Sequence, residues 1–120
     1  MAVSYLIVDD NREFLETARS VLVQEGLRVV GVAASGEEAF RLAGEVTPDV
    51  ILVDIDLGNE SGFAVARQLA AADGARRLIL ISTHAEDEFA ELIEASPAIG
   101  FLPKSELSAE AIATLLRDAA

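Results

Sequence analysis

Short apolar runs alternate with segments of helical periodicity along the whole chain. Four of the runs, residues 5–8, 50–53, 78–81 and 100–103, are unbroken, which is typical of strands buried on both faces of a parallel sheet. The segments between the runs space apolar residues three and four apart, which predicts amphipathic helices that cover such a sheet. We therefore predict a strict alternation of five strands and five helices.

The predicted elements have approximate bounds. Strands are predicted at about residues 4–8, 27–33, 50–54, 78–82 and 100–103, and helices at about 12–25, 35–43, 62–72, 86–95 and 108–118. Capping-box spacing opens the second helix at Ser35, Gly26 ends the first, and Ser96 before Pro97 ends the fourth. The expected buried stripes are Phe14, Ala18, Val21 and Leu22 on the first helix, Phe89, Leu92 and Ile93 on the fourth, and Ile112, Leu115 and Leu116 on the fifth.

The packing that suits this alternation is a doubly wound α/β sheet, because crossovers between parallel strands are right-handed and helices must cover both faces. We expect one domain over residues 1–120. The periodicity does not determine the strand order, but polar residues at the strand ends favour 2-1-3-4-5. The second strand alone ends without a charged or hydroxyl side chain, which suits an edge position.

Composition narrows the classes of partner. A formal net charge of −12 argues against direct binding of nucleic acid or an anionic membrane, and favours divalent cations and basic partners. The absence of cysteine excludes a disulfide framework and a thiolate metal site. No apolar run approaches membrane-spanning length, and the N-terminus lacks the pattern of a secretory signal. We expect a soluble, cytoplasmic protein.

Polar side chains follow four of the predicted strands at the same edge of the sheet, where open α/β sheets bind ligands. They are Asp9 and Asp10 after the first, Asp54 after the third, Ser82 and Thr83 after the fourth, and Lys104 after the fifth. Converging carboxylates need a counter-charge, and Mg²⁺ with oxygen ligands meets that need. Asp54 is then a candidate nucleophile for phosphoryl transfer. Lys104 and the Ser82 hydroxyl would contact phosphoryl oxygens, and the carbonyl of Asp56 would complete the metal site.

These residues, at these spacings, resemble the receiver domain of bacterial two-component response regulators over essentially the whole chain. The matching positions are Asp9, Asp10, Asp54, Gly62, Ser82, Phe101 and Lys104. The resemblance implies a flavodoxin-like (βα)5 fold. It also implies that Asp54 accepts a phosphoryl group from a sensor histidine kinase. Asp10 would be a direct Mg²⁺ ligand, and Asp9 would act largely through water and Lys104.

The resemblance also assigns a switch and an output surface. Ser82 and Phe101 would form the coupled switch pair, although core packing is the alternative for Phe101. Thr83 competes with Ser82 for the hydroxyl role, but strand alternation sends the two to opposite faces. Asp56, Thr83 and His84 occupy positions that modulate access to Asp54 or loss of the phosphoryl group. The output face would be helix four, strand five and helix five, through which phosphorylation could drive homodimerisation. Ser105 departs from the family, where proline often follows the lysine.

Three alternatives concern the function of the whole protein. The chain looks most like receivers fused to a LuxR/NarL-type helix-turn-helix domain, so it is either a stand-alone regulator or a piece cut before its output domain. A piece cut before its output domain would belong to a protein that regulates transcription, with DNA bound only through the missing domain. Asp54-Ile55-Asp56 also looks like the DxD signature of haloacid-dehalogenase-type phosphatases. A phosphorylation-independent interaction module is the third alternative. As a receiver, the chain would catalyse only its own phosphorylation and dephosphorylation.

Overall fold

In a computed structural model, which describes residues 3–119, five parallel strands form one sheet. The strands are β1 (Ser4–Val8), β2 (Arg28–Ala33), β3 (Val50–Asp54), β4 (Arg77–Ser82) and β5 (Gly100–Pro103). They lie in the order β2-β1-β3-β4-β5, so the predicted order is confirmed and β2 is an edge strand. Every residue of β1 and β3 is buried, as expected of uninterrupted apolar runs with helices on both sides.

The helices alternate with these strands as predicted. They are α1 (Arg12–Gln24), α2 (Gly36–Val46), α3 (Gly62–Ala72), α4 (Ala90–Ala95) and α5 (Ala109–Asp118). Two 3₁₀ turns, Glu86–Phe89 and Lys104–Glu106, precede α4 and α5. A short antiparallel hairpin, which the periodicity of the sequence does not predict, pairs Asp56–Leu57 with Glu60–Ser61.

Side chains of each strand alternate between two cores, one on each face of the sheet. One core joins Leu6, Val8, Ile51, Val53, Leu78 and Leu80 to buried residues of α2 and α3. The other joins Tyr5, Ile7, Val50, Leu52, Ile79 and Ile81 to buried residues of α1 and α5. Because all neighbouring strands of this sheet are parallel, their carboxyl ends lie at one edge.

Local signals set the helix ends. Ser35 is the N-cap of α2 and its Oγ accepts from Glu38 N at 3.1 Å. The Glu38 carboxylate accepts from Ala34 N at 2.9 Å, one residue earlier than in a standard capping box. Gly26 follows α1 with φ of 96°, a left-handed conformation that favours glycine.

Two details of the predicted helix packing are wrong. Leu92 is 53% exposed and Val21 is 40% exposed. In α1, Leu15 takes the buried position with Ala18 and Leu22, which leaves Val21 beside the stripe. The fourth helix starts as a 3₁₀ turn, and Ile93, one residue after Leu92, packs against the core. Because successive helical residues are about 100° apart, Leu92 points away from the sheet.

Candidate functional site

Three aspartates converge at the carboxyl ends of β1 and β3. These strands are neighbours, with Val8 paired in register to Val53, so the residues that follow each strand meet. Carboxylate oxygens of Asp9, Asp10 and Asp54 all lie within 4.8 Å of one another. Asp9 is 0% and Asp54 is 5% exposed, whereas Asp10 is exposed. The predicted acidic cluster is therefore present, with two members buried.

Lys104 supplies the cation at this cluster. It follows β5, two strands away from β3, and its side chain, only 13% exposed, reaches the aspartates. Its Nζ lies 2.5 Å from Asp9 Oδ2 and 2.9 Å from Asp54 Oδ2. No hydrogen bond of good geometry reaches Asp9 Oδ2 within the described residues, so the lysine charge is its main compensation there. The peptide bonds of this part of the chain, including the one after Lys104, are all trans.

Burial and charge act in opposite directions on these groups. Burial raises the pKa of Asp54 above its ordinary value, and the charge of Asp9 adds to that rise. The N–H of Asp56 and the ammonium of Lys104 oppose it. Burial on its own would lower the pKa of Lys104, but the ion pairs with Asp9 and Asp54 outweigh it, so the pKa is raised. The lysine therefore stays charged at neutral pH.

The loop after β3 contacts both the carboxylate and the backbone of Asp54. Asp54 Oδ1 accepts from Asp56 N at 3.0 Å, and Asp56 Oδ1 accepts from Gly58 N at 3.2 Å. The exposed Asp56 side chain is thus directed to its own loop. Gly62 begins α3 against this loop: a Cβ there would collide with the carbonyl oxygen of Asp54 and approach Ile55 Cα to 2.6 Å. Glycine at this position is therefore required by close backbone packing behind Asp54.

The end of β4 distinguishes the two candidate hydroxyls. Ser82 is buried and its Oγ accepts from His84 N at 2.9 Å, whereas Thr83 is exposed. That bond uses a lone pair of Oγ and leaves the Ser82 O–H free to donate. His84 is exposed, with Nδ1 3.1 Å from Glu88 Oε2, and its ring makes an edge contact with Phe89.

Phe101 lies in β5, paired in register with Leu80. Its ring is buried in the core between the sheet, α2 and α3. The ring is therefore in an inward position, and its coupling to Ser82 stays a prediction.

Three residues at the site were not identified from the sequence. Asn11 caps α1 and donates its N–H to Asp9 Oδ1 at 2.9 Å. Its position directly before a predicted helix was a usable signal. Glu60 accepts from Gly36 N at 3.0 Å, which ties the start of α2 to the loop after β3. Phe14, assigned only to a buried stripe, places its ring 4.3 Å from Lys104 Nζ.

The acidic cluster fits a hard divalent cation. Its donors are carboxylate oxygens, which Mg²⁺ prefers over nitrogen or sulfur, and their spacing allows them to share one ion. Among residues 3–119 no directed hydrogen bond reaches the buried Asp9 Oδ2, so this oxygen has a lone pair available for a metal ion. Asp9, Asp10 and Asp54 are the side chains that would hold the ion. Across residues 3–119 we find no helix with the length and hydrophobicity needed to cross a bilayer.

Comparison with known proteins decides the family. The profile of the response regulator receiver domain matches residues 5–117. This chain belongs to that family. The match favours a receiver over the haloacid-dehalogenase alternative, and the fold and the recognised family are both confirmed.

Individual relatives agree with this assignment. The response regulator GacA of Pseudomonas aeruginosa is 31% identical over 104 residues, which are 85% of this chain and 48% of GacA. The signal receiver domain of NarL from Mycobacterium tuberculosis is 30% identical with a TM-score of 0.83, and the match covers 98% of this chain and 96% of that one. A response regulator from Burkholderia pseudomallei, solved with a phosphorylated aspartic acid and a calcium ion, is 28% identical with a TM-score of 0.84. That match covers 98% of this chain and 68% of that one. The receiver thus spans about half the length of GacA.

Proposed function

We propose that Asp54 is the phosphoryl acceptor of this receiver and that a sensor histidine kinase is the donor. The observation that carries the proposal is the buried Asp54 carboxylate, 2.9 Å from the only lysine of the chain and beside two further carboxylates. A structurally similar response regulator with a phosphorylated aspartic acid supports it.

The transfer step follows from the partners of Asp54. A carboxylate oxygen of Asp54 attacks phosphorus, an O–P bond forms, and the P–N bond to the donor histidine breaks. The electron pair of that bond leaves on the imidazole nitrogen. Mg²⁺ held by Asp9, Asp10, Asp54 and the carbonyl of Asp56 would supply positive charge for the phosphoryl oxygens.

Lys104 and Ser82 are placed to contact the phosphoryl oxygens. Lys104 can exchange its contact with Asp54 Oδ2 for a phosphoryl oxygen while it keeps its ion pair with Asp9. The free O–H of Ser82 can donate to another phosphoryl oxygen after its Oγ moves away from His84 N. Asp56 and His84, both exposed at the edge of the site, are placed to modulate the approach of water to the phosphoryl group.

Output is proposed to pass through the face formed by α4, β5 and α5, residues 86–118, which we call the output face. Its sequence contains eight acidic and two basic residues, one of which is Lys104 in the site. A basic partner surface complements this charge, whereas two copies of the face repel each other at low ionic strength. Because the relatives are longer, we propose that a DNA-binding domain outside this sequence converts the change into transcription control.

The test is phosphorylation by acetyl phosphate with Mg²⁺, followed by intact mass spectrometry. The wild-type chain should gain one phosphoryl group, and Asp54→Asn should gain none. Asp56→Asn, which changes a neighbouring carboxylate, is the matched control and should still gain the group. Equal labelling of Asp54→Asn and wild type would refute the assignment of Asp54. No labelling of wild type by either acetyl phosphate or a histidine kinase would favour a phosphorylation-independent module.

A further inference from the structure

The ammonium of Lys104 has an aromatic neighbour as well as two carboxylates. Its Nζ lies over the Phe14 ring, 4.3 Å from the centroid. A cation this close to a ring face is attracted by the negative face of the π system. Phe14 is half-buried and Lys104 is 13% exposed, so water screens the contact only partly.

The backbone fixes Phe14 relative to the acidic cluster. Asp9 Oδ1 accepts from Asn11 N at 2.9 Å, and Asn11 Oδ1 accepts from Phe14 N at 3.1 Å. The next residue, Leu15, is buried in the core under α1. The ring is therefore anchored to the same segment that carries Asp9, which is the other fixed partner of the lysine.

We propose that Phe14 is a positioning residue that holds the Lys104 ammonium at the phosphoryl site. The proposal rests on phosphoryl acceptance by Asp54. A lysine side chain is long and flexible, and during transfer its ammonium must exchange the contact with Asp54 Oδ2 for one with a phosphoryl oxygen. The ring attracts the ammonium without accepting a directed hydrogen bond, so it restricts Lys104 and leaves an N–H available for a phosphoryl oxygen.

Two Phe14 variants separate the ring from simple apolar packing. Phe14→Leu keeps an apolar side chain and removes the π system, whereas Phe14→Tyr keeps the ring. We expect Phe14→Leu to lower the rate of phosphorylation by acetyl phosphate about fivefold, which corresponds to about 1 kcal/mol. Phe14→Tyr should keep the wild-type rate of phosphorylation. The Mg²⁺ affinity measured by calorimetry should be unchanged in both variants.

A spectroscopic readout tests the contact itself. Lys104 is the only lysine, so selective ¹³C-lysine labelling gives one side-chain spin system. Its Hε protons should be shifted upfield by the ring in wild type and Phe14→Tyr, and should return to the free-lysine position in Phe14→Leu. This readout does not require phosphorylation, so it separates failure of the Phe14 contact from failure of the proposed function.

Three results would overturn the proposal. The first is a wild-type Hε position equal to that of free lysine. The second is a wild-type rate for Phe14→Leu. The third is a double variant, Phe14→Leu with Lys104→Met, that is phosphorylated more slowly than Lys104→Met alone. A residue that acts through Lys104 has no effect on the rate once the ammonium is gone.

Discussion

Lys104→Met should destabilise the fold by about 3–5 kcal/mol at neutral pH without Mg²⁺, the usual cost of breaking a buried ion pair. The variant keeps most of the aliphatic stem but leaves Asp9 and Asp54 buried without their cation. The two lost contacts measure 2.5 and 2.9 Å. At an effective dielectric constant of about 20, each is worth roughly 6 kcal/mol of attraction. Desolvation of the three charges offsets part of this sum, so the net loss is smaller.

The pH dependence of this loss has a definite sign. Burial and Asp9 raise the pKa of Asp54, and the opposing effect of Lys104 is absent in the variant. A folded-state pKa above the unfolded value means that the folded state binds the proton more tightly. The stability of Lys104→Met therefore falls as pH rises from the ordinary aspartate pKa through the folded one. Its deficit against wild type should be smaller at about pH 5 than at about pH 7.5.

Urea unfolding followed by circular dichroism measures these differences. Arg67→Met removes the same charge from the exposed side of α3 and should change stability by less than about 0.5 kcal/mol. Mg²⁺ at about 100 times its Kd should raise the free energy of unfolding of Lys104→Met by about 2.7 kcal/mol. A loss below about 1 kcal/mol at neutral pH would contradict the reasoning, because exposed ion pairs already account for that much.

Three further predictions test the packing and the output face. Gly62→Ala should destabilise the fold by about 2–3 kcal/mol in urea unfolding, because its Cβ would meet backbone. Gly44→Ala, with open space around it in α2, should stabilise it by about 0.5–1 kcal/mol, and equal effects would refute the packing explanation. Ser35→Ala should lower the melting temperature through the loss of about 1 kcal/mol of capping, and no change would exclude that role. Sedimentation should find the unphosphorylated chain monomeric at low salt, and self-association that weakens with added salt would contradict like-charge repulsion at residues 86–118.

The central strands were predictable because they are buried on both faces. Strands such as β3 then read as unbroken apolar runs, and a polar residue marks where each leaves the core. The convergence of Asp9 and Asp54 follows from the same logic, since adjacent parallel strands end at one edge. Even the glycine at position 62, noted only as part of a family pattern, has a direct steric cause in the structure.

What the sequence did not reveal depends on contacts between distant segments. Periodicity does not identify which of Val21 and Leu15 faces the core, because the two flank the stripe of Ala18 and Leu22 on opposite sides and neighbouring elements decide. The exposure of Leu92 follows from a 3₁₀ turn whose phase the sequence pattern does not encode. The position of Phe14 over Lys104 joins residues 90 apart in sequence, and no local spacing signals such a pair.

Charge balance at the site explains why phosphorylation would act as a switch. The formal charges of three aspartates and one lysine sum to −2, which a divalent cation would neutralise. A phosphoryl group on Asp54 replaces one negative charge with about two at neutral pH. Lys104 already pairs with Asp9 and Asp54, so hydrogen-bond donors near Asp54 can take up part of the added charge. Under the proposed function, the buried Ser82, whose Oγ accepts from His84 N, would move to donate its O–H to the phosphoryl group. That movement would alter the loop between β4 and α4 and so connect the site to the output face.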